Sequence, residues 1–282
     1  MKPRPTPYIF IAPFFILFGV FMVYPLFDAI RISLYKTRGF NQKTYVGIGN
    51  FEILVNDPLF WTSLWNTAYF AAGSLFIQLP VALLLALVLN STMIKAKNLF
   101  RLSFFIPVLI SGVFIAVIFY LLYDRRYGLV NQLLGQEIPW LQDRDLVMPA
   151  IILAGVWRWA GFNMIYFLAG LQGIRQELYE AASIDGAGRW LSFKHVTLPS
   201  LRPVMAFVVI TSMIGSFQLF DLPYVLTRGG PGNSSMTIVM YLYKHGFEFI
   251  NLGYAATIGW ALAIIIGVIS LVQLRFFGVF KD

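Results

Sequence analysis

Residues 58–94 read PLFWTSLWNTAYFAAGSLFIQLPVALLLALVLNSTMI and contain no acidic or basic side chain; Asp57 and Lys95 bound them. A bilayer core about 30 Å thick is crossed by about 20 mostly apolar residues rising about 1.5 Å each. The stretch is long enough for a complete crossing, and it predicts a helix over about 62–89 with a kink at Pro80. Lipid offers no partner to a backbone N–H or C=O, so such a run must cross as a helix. That reading sets the class of the whole chain: an all-α, polytopic membrane protein.

Working outward, five more stretches qualify as spans: residues 8–30, 102–123, 147–171, 203–225 and 253–276. The first contains Pro13 and Pro25, the third lies between Arg101 and Asp124, and the fourth carries Arg158 near its beginning, where it would snorkel or pair close to the outer surface. The composition agrees. Of 282 residues 59% are hydrophobic and 12% charged, and the mean hydropathy is +0.73. About a quarter of a soluble domain is charged, so this chain cannot coat a water-facing surface. The apolar run after Lys2 and Arg4 is longer than a signal-peptide core and has no A-x-A site behind it, so it reads as a retained first span. The absence of cysteine excludes disulfides and thiolate chemistry, and the two histidines, His195 and His245, form no HExxH pattern.

Six spans place both termini on one side. The 21 lysines and arginines divide almost evenly between the two sides, but the loops on the terminal side are shorter and so denser in positive charge. The positive-inside rule associates such loops with the cytoplasm, and it explains the net charge of +8 without an anionic partner such as nucleic acid. The opposite loops are rich in Gly, Pro and aromatics, as expected of compact caps. No repeat, low-complexity tract or soluble domain interrupts 1–282, which is read as a single transmembrane domain.

The loop at 172–202 is the exception to this economy. Glu177 to Asp185 has good helix formers with acid in its first turn, and Gly186 suits the φ > 0 position that ends a helix. Arg189 to Val196 predicts a second short helix, and Leu198-Pro199 an extended exit before Pro203 opens the fifth span. Ala181 and Ala182 form a low ridge that another protein's cleft can grip, and Glu180 offers it a charge. A surface helix that only tidies a connection would have much the same composition.

At fixed offsets the segment resembles the EAA loop of permeases in binding-protein-dependent ABC importers. Glu180-Ala181-Ala182 and Gly186 fit, as do Leu198-Pro199 after Val196, where Ile is usual. The likeness to the sugar-import branch extends over most of the chain. It covers Gly47-Ile48-Gly49-Asn50-Phe51 with Phe60-Trp61 and Asn66-Thr67, then Tyr127-Gly128-Leu129-Val130-Asn131 with Trp140-Leu141. It continues through Phe217-Gln218-Leu219-Phe220-Asp221 with Thr227 and Gly229-Gly230-Pro231. The resemblance implies alternating access by two paralogous permeases. Each would seat its loop (Glu180, Ala181, Ala182, Asp185, Gly186, Leu198, Pro199) in one of two cytoplasmic ATP-binding subunits, and an external binding protein would deliver solute. The chain has no GxxxxGK[ST] phosphate loop, so ATP and magnesium would belong to the partner ATPase and no cofactor to this chain.

Intramembrane polar residues mark a candidate pathway. Trp159, Asn163, Tyr166 and Gly170 recur on one helical face, an aromatic platform with an amide and a phenol that suits a sugar. Ser212, Ser216, Gln218 and Asp221 in the fifth span and Gln78 beside Pro80 are the other candidates, with packing between helices as the alternative role for each. The expected cargo is a sugar, oligosaccharide or related polyol, and the nearest rival a phosphorylated polyol. A gradient-driven carrier would want more intramembrane acids than Asp221, and an intramembrane enzyme would need a paired catalytic constellation.

Overall fold

The computed structural model describes residues 6–39, 42–91 and 94–278; Lys2, Arg4 and Lys281, counted above among the topogenic cations, lie outside them. Among the described residues, five helices are long and apolar enough to cross a membrane: Phe10–Ser33, Pro58–Asn90, Val147–Gln172, Arg202–Thr227 and Leu252–Phe277. They match five of the expected spans to within a few residues.

The third expected span, 102–123, is not one helix. Lys97–Leu109 and Gly112–Leu122 meet at an angle of 100° across Ile110 and Ser111. Both flanks are apolar, so hydropathy gave no sign of the break. Gly112 opens the second piece because Arg158 and Asp221 occupy the space where a Cβ would stand. The fifth span runs on as one span from Arg202 to Thr227 but is locally interrupted: its helix Arg202–Phe217 ends before Gln218, and a second helix begins at Asp221.

Three prolines inside helices come with a local change that the expected kink did not include. A wide π turn spans Gly19–Val23, another Ser74–Gln78 and a third Phe193–Thr197, and each is followed two residues later by a proline, namely Pro25, Pro80 and Pro199. A proline at position i has no N–H to donate and its ring collides with the carbonyl of residue i−4. In all three cases that carbonyl, of Phe21, Phe76 or His195, lies within the widened turn. The helix therefore continues through Pro80, and the exit at Leu198-Pro199 is helical instead of extended, with Leu198 N–H donating to the Phe193 carbonyl.

The chain falls into two compact units. One comprises residues 1–60 with 241–264. Its first span ends at Ser33 and is followed by an antiparallel hairpin, β1 (Tyr35–Arg38) and β2 (Gln42–Tyr45), which an all-helical reading did not anticipate. Asn50 Nδ2 donates to the Ser33 and Tyr35 carbonyls at 2.7 and 2.9 Å, and Gly253 N–H donates to Thr37 Oγ1 at 2.9 Å. Asp57 caps the helix that follows it through Leu59 N–H at 2.9 Å, and accepts the Tyr241 hydroxyl and, at 2.6 Å, the Tyr254 hydroxyl. Burial alone would raise the Asp57 pKa. The hydrogen bonds outweigh it and hold the carboxyl below its ordinary value.

The other unit, residues 61–240 with 265–282, holds the larger core. Val147, Ile151 and Ala154 of the fourth span pack with Ile115, Phe119 and Leu222, and further along the same helix Met164, Phe167 and Leu171 pack with Ala82, Ala86 and Leu89. The loops here are the compact caps expected. Trp140 Nε1 donates to Asn131 Oδ1 at 2.8 Å, while Asn131 Nδ2 donates to the Ile138 carbonyl at 2.8 Å. Asn66 Nδ2 reaches the Asn233 and Met236 carbonyls at 2.8 and 3.0 Å, and Thr237 Oγ1 the Leu219 carbonyl at 2.8 Å.

Candidate functional site

The second, fourth and fifth spans enclose a cavity of about 140 Å³. The π turn of the second span contributes Ser74 and Gln78, one at each end; Ser74 Oγ donates to Gln78 Oε1 at 3.0 Å. The fourth span contributes Trp159, Phe162 and Asn163, and the fifth Thr211, Ser212, Gly215 and Ser216, with Phe70 and Leu219 closing the apolar wall. Asn163 Nδ2 donates to Ser212 Oγ at 3.2 Å, which ties the fourth span to the fifth, and Ser216 Oγ turns back on the Ser212 carbonyl at 2.8 Å. Gln78, Asn163 and Ser216 are buried, whereas Thr211 and Gly215 are exposed, so the cavity opens along the fifth span. Among the described residues, no acidic or basic side chain lines it. The arrangement is an aromatic platform with amide and hydroxyl groups around it, which can stack a C–H face and exchange hydrogen bonds with neutral hydroxyls.

Five residues singled out from the sequence meet here: Gln78, Trp159, Asn163, Ser212 and Ser216. Three do not line the cavity. Tyr166 lies one turn beyond it, its ring 5.1 Å from those of both Phe162 and Phe207. Gln218 is exposed where the helix ends. Asp221 accepts from Arg158 Nη1 at 2.6 Å. Arg158 is therefore paired, and it stands well inside the helix that begins at Val147, not near that end of it. Its guanidinium lies 5.1 Å from the centre of the Trp159 ring. Ser74 and Thr211 were missed, although Ser74 stands one helical turn before Gln78 and Thr211 beside Ser212.

A second site lies outside the bundle, in the loop between the fourth and fifth spans. Its first helix, Gln176–Ile184, ends as the sequence required: Gly186 has φ +78°, Ala187 N–H donates to the Ala182 carbonyl at 2.9 Å and Gly186 N–H to Ser183 at 3.1 Å. This pair of bonds is a Schellman closure, which only a left-handed residue permits. Arg189–Ser192 and the π turn after it form the returning limb, and the Tyr179 hydroxyl bonds Thr197 Oγ1 at 2.9 Å across the two limbs. Glu180, Ala181, Asp185, Gly186 and Pro199 are exposed, while Ala182 and Leu198 are half-buried. Ile184 is 87% exposed and Trp190 70%, so a rigid projecting element presents apolar side chains that none of the described residues covers.

The profile of the family described as "binding-protein-dependent transport system inner membrane component" matches residues 78–281. The chain is 40% identical to the arabinooligosaccharides transport system permease protein of Bacillus subtilis, over 99% of this chain and 90% of that one. It is likewise 40% identical to the lactose transport system permease protein of Rhizobium radiobacter, over 94% and 92%. Among solved structures it resembles a chain of the bacterial alginate ABC transporter in complex with alginate pentasaccharide-bound periplasmic protein. There the TM-score is 0.83 at 25% identity, over 96% of this chain and 93% of that one.

Proposed function

Because this chain belongs to the family of binding-protein-dependent transport system inner membrane components, we propose that it passes a neutral sugar or oligosaccharide through the membrane as one subunit of an ATP-driven importer. The observation that carries the choice of cargo is the lining of the cavity: amide, hydroxyl and aromatic groups, with no ionisable side chain. A phosphorylated polyol, or an acidic polysaccharide such as alginate, would find no free cation in this lining, because the Arg158 guanidinium beside Trp159 is already paired with Asp221. Burying an unpaired anion costs far more than burying a hydrogen-bonded hydroxyl.

At about 140 Å³ the cavity is smaller than the roughly 300–1,000 Å³ of most ligand sites. It opens through Thr211 and Gly215, and the first span has none of its apolar window buried within the chain. Both features favour a second, paralogous permease that faces the fifth span and completes the pathway. The projecting loop, with Glu180, Ala181, Ala182 and Asp185 ahead of its Gly186 closure and Leu198-Pro199 behind, docks into a cytoplasmic ATP-binding subunit. Two such subunits hydrolyse ATP and drive alternating access, while an external binding protein delivers the solute. The chain is multi-pass in the cytoplasmic membrane, with both termini and the docking loop inside.

The assignment is tested by reconstituting the complex and measuring which loaded binding protein stimulates ATP hydrolysis. A response to neutral oligosaccharides but not to phosphorylated or uronic-acid sugars is expected, and the reverse order would overturn it. Orientation is tested separately in this cysteine-free chain. Cysteine at Tyr127, 79% exposed, should react with an impermeant reagent outside intact cells, and cysteine at Ile184 only after lysis.

A further inference from the structure

The hairpin after the first span carries charge where the proposed orientation gives no topogenic reason for it. Between Asp28 and Glu52 there is no acid, but there are four cations, Arg31, Lys36, Arg38 and Lys43. Positive charge is retained in cytoplasmic loops by the insertion machinery. On the opposite side it needs another reason.

Strand pairing gives two of these cations, Lys36 and Arg38, a common surface. Tyr35 pairs with Tyr45 and Thr37 with Lys43, while Lys36 pairs with Thr44 and Arg38 with Gln42. Alternation along each strand sends the two sets to opposite faces. Thr37, on the first face, is buried and holds Gly253 N–H at 2.9 Å and Asn251 Oδ1 at 3.4 Å, which fixes the hairpin to the start of the last span. The second face is wholly exposed. Its Lys36, Arg38, Gln42 and Thr44 line a shallow depression. Among the described residues none of these cations makes an ion pair. All four side chains are hydrogen-bond donors, and two are cationic, a set that matches phosphate oxygens.

The depth is that of lipid headgroups. The first span has 24 residues, about 36 Å of helix against about 30 Å of hydrocarbon, so its last turn with Arg31 reaches the headgroup layer. The hairpin starts two residues beyond Ser33, and the T-shaped Tyr35–Tyr45 pair marks its base. Tyrosines at this level are interfacial anchors.

We propose that the Lys36–Arg38–Gln42–Thr44 face binds the phosphate headgroups of anionic phospholipids and fixes this corner of the subunit to the membrane surface. Which leaflet it meets follows from the orientation proposed above; the binding itself does not. The probe is a fluorophore on cysteine replacing Ile48, which is 65% exposed close to the second strand. The intact complex is placed in nanodiscs of phosphatidylcholine alone or of phosphatidylcholine with phosphatidylglycerol, and quenching by acrylamide, a neutral reagent, is measured. Phosphatidylglycerol should protect the probe on the order of twofold, less so at high salt. The protection should vanish in Lys36→Gln/Arg38→Gln and persist in Lys36→Arg and in Lys43→Gln, whose side chain lies on the opposite face. Equal quenching in both discs, or protection that survives the double glutamine variant, would overturn the proposal. So would inorganic phosphate protecting equally in phosphatidylcholine discs, which would mark a free-anion site. Both faces of a nanodisc carry the same lipid, so a wrong orientation leaves the outcome unchanged and is detected only by the labelling experiment.

Discussion

Arg158 Nη1 and Asp221 Oδ2 lie 2.6 Å apart, although 63 positions separate the two residues in the chain, and both press on Gly112. The contact joins the middle of the fourth span to the points where the third and fifth spans break. The side chains are 14% and 32% exposed, so the pair is well withdrawn from solvent without being sealed. Asp221→Asn or Arg158→Met should cost about 2–3 kcal/mol, somewhat less than for a fully buried pair, because one charge is left without its partner. Thermal unfolding of the purified complex measures this. The exchange Arg158→Asp/Asp221→Arg should recover part of the loss, and full tolerance of either single change would contradict the role given to the pair.

Gly112→Val should be worse than either, since its side chain would displace both members of the pair at once. Poor membrane expression, not improved by Asp221→Asn alone, is the expected outcome in a quantitative blot.

Gly186→Val strains a left-handed position by about 1 kcal/mol or more and opens the Schellman closure. The returning limb with Trp190 should then swing out of place. Uptake should fall while the binding protein keeps its solute affinity, and ATP hydrolysis should lose its dependence on loaded binding protein. Glu180→Lys should act similarly at the docking surface. Wild-type uptake by Gly186→Val at matched expression would reduce the loop to a connector.

Asn163→Ala and Trp159→Ala should change the cavity directly, with several-fold weaker apparent affinity for solute in transport assays and unchanged assembly with the ATPase. Tyr166→Ala removes support from Phe162 and Phe207 instead of a wall residue. It should lower the maximal rate more than it shifts solute preference.

His245 is packed among Tyr241, Tyr254 and Phe249, with ring centres at 4.7, 4.7 and 5.3 Å. Burial lowers its pKa and the Asp57 carboxylate only partly opposes this. The folded chain therefore holds the neutral ring, and the unfolded chain takes up a proton first as pH falls. The stability this contributes is present above about pH 6.5 and is lost on acidification below it. The melting temperature should drop between about pH 7 and pH 5, and drop less in His245→Phe.

The spans were legible because hydropathy averages over many residues, and the two-limbed loop of residues 172–202 because its helix formers, Gly186 and Pro199 stand where such a turn needs them. Trp159 and Asn163 were found because both lie on one helical element, where spacing translates into a shared face. The break at Ile110–Ser111 interrupts no apolar run. The pairing of Arg158 with Asp221 depends on packing between segments far apart in sequence, and the rules that foresee a kink at Pro80 take no account of a turn that widens around it. Tyr166 was misplaced for a related reason: a face drifts along a helix, and one turn further it meets Phe207 instead of the cavity.

The widened turn before Pro80 also sets the angular phase of the second span. Ser63, Thr67, Phe70, Ser74, Gln78, Ala82, Ala86 and Leu89 are all buried. Their mean spacing slightly exceeds the 3.6 residues of an α-helical turn, so in an unbroken helix the stripe would wind about 80° around the axis from end to end. One extra residue taken up in a π turn returns about 100°. The drift is nearly cancelled, and the stripe runs almost straight. A single ridge can thus support the Thr67 contact to Ile238 N–H, form one wall of the cavity and enter the core at Ala82 and Ala86. Pro80, by withholding one N–H, keeps that ridge from twisting away from the helices it serves.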